Sequence, residues 1–246
     1  MEGECFIKLQ PNNFKLESTT IWSFPNRGSW ATHSGKYRGN WTPYVPRNLI
    51  LRYSQPGDWI LDQFIGSGTT LIEAKLLNRN AIGVDINPQS VSISEKNIQF
   101  ESDSLSKIFI REGDATKLDF VKNEKIDLIC THPPYADIIQ YSESIEGDIS
   151  HLKTEEFLRE MDKVAKESFR VLKNGKICAV MMGDIRKNGK VVPLSFRTME
   201  SFINVGFQLK EIIIKEQHNC KSTSYWEGRN NKFLLLAHEY IFVLEK

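Results

Sequence analysis

The chain has 246 residues, 40% of them hydrophobic and 26% charged, with a formal net charge of +1. That composition is ordinary for one globular α/β unit, and so small a net charge gives no bulk electrostatic argument for an anionic partner, which local patches would have to hold. No apolar run reaches the roughly 20 residues that span a bilayer, and MEGECFIKLQPNN has no basic-then-apolar leader, so a cytoplasmic location is expected.

Residues 1–42 have no clean period. Their stretch IWSFPNRGSWATHSGKYRGNW mixes aromatics, glycines and bases, and reads as an irregular arm. Regular structure is expected from about residue 43. YVPRNLILRYS has helical apolar spacing, with Pro46 suited to a first turn. WILDQF is a short buried strand, IGSGTT a glycine loop, TTLIEAKLLN a helix and AIGVDINP a second strand. SVSISEKNIQF is a helix, IFIREGDA a third strand, and KIDLICTHPPY a fourth. TEEFLREMDKVAKESFRVLKNG is a long amphipathic helix with a stop at Gly175, and KICAVMMGD a fifth strand. RKNGK reads as a hairpin-like turn, LSFRTMESFINVGF as a helix, and QLKEIIIKEQ and KFLLLAHEYIFVLEK as two closing strands that pair antiparallel. Alternating strands and helices predict an open, mostly parallel sheet whose ligands bind beyond the strands' carboxyl ends.

Cys5, Cys130, Cys178 and Cys220 are far apart and form no CxxC pair, so neither a zinc site nor a disulfide framework is expected. Cys130 and Cys178 lie in apolar runs and read as buried small side chains. HEY, residues 238–240, lacks a partner histidine one turn on, and no metal site is expected.

The glycine loop is neither GxxxxGK[ST] nor a full GxGxxG. Asp62 precedes it, where a carboxylate disfavours a pyrophosphate and favours a cationic amine. Asp85 ends the second strand, where it can accept from a ribose diol, and Asp114 comes after the third, within reach of an adenine amino group. A nucleoside carrying an amino acid and a sulfonium, S-adenosylmethionine, suits this set. THPPY, residues 131–135, then ends the fourth strand in a corner that two prolines make stiff and strip of N–H donors.

LDQFIGSGTT resembles the DPFxGSGTT motif, and THPPY the (D/N/S)PP(Y/F/W) motif, of the amino-group DNA methyltransferases, which methylate cytosine N4 or adenine N6. The resemblance runs from about Pro43 to the closing AHEYIFVLEK. It implies a Rossmann-like methyltransferase fold, α/β, with a mostly parallel seven-stranded sheet, an antiparallel terminal strand and helices on both faces. It implies a catalytic domain over 43–246, following the irregular arm over 1–42; many members of the family insert a large separate target-recognition domain, and none is expected here. The cofactor candidates are Pro46, Asn48, Asp62, Phe64, Gly66, Gly68, Thr69, Thr70, Asp85, Ile86, Asp114 and Ala115. The catalytic candidates are Thr131, His132, Pro133, Pro134 and Tyr135. The carbonyl of Pro133 and the side chain at 132 would accept hydrogen bonds from the target amine, and Tyr135 would stack on the base. His132 departs from the family's Asp, Asn or Ser. Only a neutral imidazole can accept, so activity is expected to fall as pH drops through the histidine's pKa, about 6.5 if unperturbed.

A paired base cannot reach such a pocket, so double-stranded DNA with a flipped base, or single-stranded DNA, is the expected substrate. Candidate nucleic-acid contacts are Trp30, Lys36, Arg38 and Trp41 in the arm, and Lys221, Tyr225, Trp226 and Arg229 near the end, where bases interleave with aromatics. Cytosine N4 is favoured over adenine N6, in a restriction-modification setting. A homodimer, a separate specificity or nuclease partner, a non-catalytic cofactor-holding subunit and an RNA substrate remain open.

Overall fold

The computed structural model describes residues 8–136, 145–219, 228–229 and 232–246. Among the described residues ten strands and five α-helices run in this order: β1 (Ile21–Trp22), α1 (Tyr44–Tyr53), β2 (Trp59–Asp62), α2 (Thr69–Leu76), β3 (Asn80–Asp85), α3 (Pro88–Asn97), β4 (Ile108–Glu112), β5 (Ile126–Thr131), α4 (Thr154–Val171), β6 (Leu172–Met182), β7 (Ile185–Lys187), β8 (Lys190–Val192), α5 (Leu194–Asn204), β9 (Gln208–Glu216) and β10 (His238–Glu245).

The main sheet has the order β1-β9-β10-β6-β5-β2-β3-β4. β4, β3, β2, β5 and β6 are mutually parallel, and β10 is antiparallel to both β6 and β9. The expected seven-stranded sheet is therefore present, with a two-residue eighth strand from the arm at its edge: β1 pairs parallel with β9. RKNGK does turn a hairpin, β7 against β8, with Asn188 and Gly189 both at positive φ.

Side-chain alternation divides the core into two layers. In β6, Cys178, Val180 and Met182 face α4 and α5, whereas Ile177, Ala179 and Met181 face α1 and α2. Cys130 and Cys178 are free and buried, as expected; Cys5 and Cys220 lie outside the described residues. α1 begins at Tyr44, which puts Pro46 in its first turn. One boundary differs from the sequence reading. α4 ends at Val171 and passes straight into β6, so Gly175 lies inside that strand and does not stop the helix. Its N–H is held by the carbonyl of Lys246, a tertiary contact that local sequence does not encode.

The arm is anchored by its aromatics. Trp22 is buried in the α1–α2 layer. Trp30 Nε1 donates to Glu73 Oε1 at 2.7 Å, His33 Nε2 meets the same oxygen at 2.7 Å, and Arg47 Nη1 donates to Glu73 Oε2 at 2.8 Å. Glu73 is fully buried on α2, so this one carboxylate ties the arm and α1 to the helix after the glycine loop. Removing one partner of a buried ion pair leaves the other uncompensated, at a typical cost of about 3–5 kcal/mol. Glu73→Ala is accordingly expected to lose about that much stability in urea unfolding and to expose the arm to limited proteolysis. Unfolding and cleavage unchanged from wild type would show that the arm is not held there.

Candidate active site

β2 and β5 are parallel neighbours, with Ile60 opposite Leu128 and Leu61 opposite Ile129, so their carboxyl ends emerge side by side. A single buried carboxylate joins the two loops that leave these strand ends. Asp62 Oδ1 accepts from the Phe64 N–H at 3.1 Å and from the Thr131 hydroxyl at 2.9 Å, while Oδ2 accepts from the Thr70 hydroxyl at 2.5 Å. The glycine loop, the start of α2 and the head of the THPPY corner are thus all bonded to one side chain. Burial pushes the Asp62 carboxyl up to about 6, against the pull of those three hydrogen bonds.

The loop borders a cleft that opens beyond the strand ends. Gly66 lies at φ 52°, and a Cβ there would come within 3.0 Å of the Tyr37 ring, so the arm closes directly over the loop backbone. Asp85 lines the cleft, its Oδ2 accepting from Gly66 N–H at 2.9 Å and its Oδ1 from Asn87 N–H at 3.0 Å. Burial raises its carboxyl to about 6; the two N–H bonds oppose this, and the charges of Asp62 and Asp148 add to it. Asp114 is fixed by Thr116, whose N–H and hydroxyl both donate to Oδ1 at 2.8 Å. Asp148 also reaches the wall. Among the described residues lining the cleft there are three carboxylates and neither Lys nor Arg. Such a wall suits a cationic ligand and repels a pyrophosphate.

His132 and Pro134 line this same cleft, together with Gly66, so the glycine loop and the proline corner do meet. Pro133 and Tyr135 face a second cleft, and His132, Gly39, Asn40 and Trp41 are common to both. Trp41 stacks on the imidazole at 5.6 Å between centroids and 22° between planes. His132 Nε2 lies 2.8 Å from the Tyr135 hydroxyl, which donates to Glu239 Oε1 at 2.5 Å; Lys215 Nζ donates to Glu239 Oε2 at 2.8 Å. Burial holds the imidazole down at about 4, helped by Lys215 and opposed by Glu239. The condition attached to a fall near pH 6.5, an unperturbed imidazole, is not met: burial moves the His132 titration below the range of a solvated histidine. Burial would push the Glu239 carboxyl up, but Lys215, His132 and the hydrogen bonds from Lys215 and Tyr135 carry it below the usual range.

The remaining candidates separate clearly. Phe64, Gly66, Asp85, Ile86, Asp114 and Ala115 line the first cleft. Asp62, Gly68, Thr69, Thr70 and Thr131 do not; they form the support beneath it, and Asp62 faces hydroxyls and an N–H where an amine was expected. Pro46 and Asn48 are also buried away from the cleft. Asn48 Oδ1 accepts from Glu17 N–H and its Nδ2 donates to the carbonyl of Tyr44, so it fastens the arm. Trp30 is only 3% exposed and bonded to Glu73, which removes it from an open nucleic-acid surface; Trp41, 6% exposed, lines both clefts beside His132. Lys36, Arg38 and Arg229 are exposed. Lys221, Tyr225 and Trp226 lie outside the described residues. Sequence reasoning missed Asn40, Lys215 and Glu239, and read Tyr37 and the loop ending at Asp148 only as candidate nucleic-acid contacts. YRGNW did carry a signal, aromatic residues around a glycine, but it was assigned to nucleic acid.

Comparison with known proteins gives the fold and the family. Among solved structures the chain is similar to TrmN from Thermus thermophilus (TM-score 0.58, 19% identity, covering 85% of this chain and 50% of that one) and to a methyltransferase from Pyrococcus furiosus (TM-score 0.54, 17% identity, 87% of each), which establishes a methyltransferase fold. The DNA methylase model, of the N6/N4 methyltransferase type, matches residues 5–96 and 126–246, and the chain belongs to that family. A model for RNA cap guanine-N2 methyltransferase matches residues 57–181. Curated relatives include the type II methyltransferase M2.DpnII of Streptococcus pneumoniae, 37% identical over 30% of this chain and 27% of that protein. The tRNA (guanine(10)-N2)-dimethyltransferase of Methanothermobacter thermautotrophicus is 33% identical over 50% of this chain and 34% of that protein. The matched stretches thus span about a third or less of these relatives' length. Family membership brings S-adenosylmethionine as the cofactor, and the cation-free, carboxylate-lined cleft fits it.

Asp62 gives a test of the support. Its folded pKa of about 6 lies above the unfolded value of about 3.9, so its contribution is full below pH 4 and is lost as pH rises through 6, by about 3 kcal/mol. The difference in unfolding free energy between wild type and Asp62→Asn should move in the variant's favour between pH 4 and pH 7. A pH-independent difference would mean that Asp62 is not held in this environment.

Proposed function

We propose that the chain is an S-adenosylmethionine-dependent methyltransferase acting on the exocyclic amino group of a flipped-out or unpaired DNA base, cytosine N4 before adenine N6. One observation carries this reading: a cleft walled by carboxylates shares His132 and Trp41 with a second cleft at the proline corner. When bound, the cofactor supplies an electrophilic methyl group. Asp85 would accept from its ribose diol and Asp114 from its adenine amine. An exocyclic amine is a poor nucleophile because its lone pair is delocalised into the ring. Acceptors on its hydrogens draw it towards a tetrahedral shape, and Pro133, followed by a residue with no N–H, presents a rigid carbonyl for this. His132, neutral and packed against Trp41, offers a ring nitrogen as the second acceptor. Both cysteines in the described strands are buried, with their thiols pushed up, so a direct transfer governed by positioning is favoured over a cysteine nucleophile.

Recognition is assigned to Lys36, Arg38 and Arg229 with the adjoining 220–227 segment, and to a specificity or nuclease partner of a restriction-modification pair in the cytoplasm. Among the described residues no helix is long and apolar enough to cross a membrane. A second reading, guanine N2 in RNA, is favoured by the tRNA methyltransferase match, which covers half of this chain.

Labelled cofactor, incubated with genomic DNA in one arm and structured RNA in another, followed by digestion to nucleosides, decides between them. N4-methylcytosine is the expected product; labelled guanine from RNA alone would establish the second reading, and no label in either would reject methyl transfer to nucleic acid. His132→Ala should lower kcat by about 100-fold or more, on the scale of losing one positioned hydrogen-bonding group. The pH dependence should divide by cleft. Asp85 must be ionised to accept both ribose hydroxyls, so cofactor affinity should rise through pH 6. With His132 neutral down to about 4, kcat at saturating cofactor should stay flat from pH 5.5 to 8. A kcat that falls through pH 6.5 at saturation would place the imidazole in water and contradict the burial.

A further inference from the structure

The relay behind the proline corner joins two motif residues, His132 and Tyr135, to Glu239 and Lys215, to which neither the motifs nor the methylase match assigns a part. Its one hydroxyl proton, on Tyr135, lies between two described groups, the Glu239 carboxylate and the His132 imidazole. Glu239 is paired with Lys215 at 2.8 Å on one oxygen, and an ionised carboxylate has no proton to give. The Tyr135 hydroxyl must therefore donate to Glu239 Oε1, and its 2.5 Å distance is in the range of a hydroxyl bonded to a carboxylate. With that proton committed, the Tyr135 oxygen can only accept from His132 Nε2, 2.8 Å away. Nε2 must then carry the imidazole's hydrogen. In the neutral ring, Nδ1 is left with a bare lone pair, and no hydrogen bond ties it among the described residues.

We propose that Glu239 and Lys215, acting through Tyr135, are positioning residues that lock His132 in its Nε2–H tautomer, so that Nδ1 is a standing acceptor for the target amine. The inference rests on the amine-methylation reading for its use, but not for its geometry. It explains how a histidine does the work of the family's Asp, Asn or Ser. An Asp is an acceptor at either oxygen, whereas an imidazole is an acceptor at one nitrogen only, and an untethered ring would exchange the two. Side chains from β9 and β10 set that choice, and Trp41 holds the ring's plane. It also changes the part given to Tyr135. Its hydroxyl is engaged on both sides, and a Cβ at Gly183 would lie 3.0 Å from its ring, so Tyr135 is a fixed wall of the cleft.

The test reads the tautomer directly. The wild-type chain with nitrogen-15 in its five histidines is studied at pH 7 by proton–nitrogen correlation NMR, and the His132 signals are identified by their loss in His132→Gln. The expected pattern is a protonated Nε2 and an unprotonated Nδ1; a protonated Nδ1, or a doubly protonated ring, overturns the proposal without reference to turnover. Glu239→Gln is the second arm, because an amide can donate to the Tyr135 oxygen and release its proton towards Nε2. There the signals should shift towards the other tautomer, and kcat should fall about 10- to 100-fold with cofactor KM within about twofold, the scale of a misdirected acceptor. Glu239→Gln with wild-type signals and wild-type kcat also overturns it. A wild-type protein with the expected tautomer but no methyl transfer to any nucleic acid would reject the proposed function and leave the relay standing.

Discussion

The Asp62 carboxylate is the constraint on which the rest of this structure depends. Two adjacent parallel strands deliver two loops of different character to one edge, but adjacency alone does not fix how the loops sit. Asp62 does so by accepting from Phe64 in the glycine loop, Thr70 at the start of α2 and Thr131 at the head of the proline corner. A carboxyl buried so completely is costly to ionise, which is why its pKa is raised, and each hydrogen bond offsets part of that cost. The same three bonds make the relative position of the two loops a property of one side chain. Transfer between a donor on one loop and an acceptor on the other is sensitive to errors of about an ångström, and this is the kind of support that such precision needs.

Above that support the two clefts differ in charge and share a wall. The first is anionic, from Asp85, Asp114 and Asp148. The second is bounded by Pro133, Tyr135, Lys215 and Glu239. The wall between them is made partly by the arm, through Gly39, Asn40 and Trp41, and the arm is held in turn by Glu73, Trp30 and Arg47. Burial of the wall has a chemical consequence. It keeps His132 neutral, and the proton count of the Glu239–Tyr135 pair then determines which ring nitrogen can accept. On the proposed reading, binding at the first cleft would be governed by Asp85 and acceptor strength at the second by His132, two groups whose pKa values are displaced in opposite directions by the same physical cause.

Much of this architecture was legible in the sequence. The order of the main strands and helices comes from apolar period and from punctuation by glycine and proline, and the meeting of IGSGTT with THPPY comes from parallel strands with their carboxyl ends on one edge. What was not legible depended on tertiary placement. Asp62 looked like a ligand to an amine because nothing local shows that Thr70 and Thr131 converge on it. Trp30 and Trp41 looked like stacking surfaces because an aromatic residue among bases has the same composition whether it meets nucleic acid or a core. The expected titration of His132 near 6.5 took the solvated value, and burial moved it. Glu239, more than a hundred residues from Tyr135, reaches it only because β10 inserts antiparallel between β6 and β9.

The central claim is that a ligand held over Gly66 and Asp85 directs its reactive end at His132 and the proline corner. The structure of this chain with S-adenosylmethionine bound tests it most directly. The account predicts the ribose diol on Asp85 and the sulfonium methyl at the wall shared by the two clefts, facing the Pro133 carbonyl. A ribose away from Asp85, or a methyl group pointing into the first cleft with His132 behind it, would contradict the account.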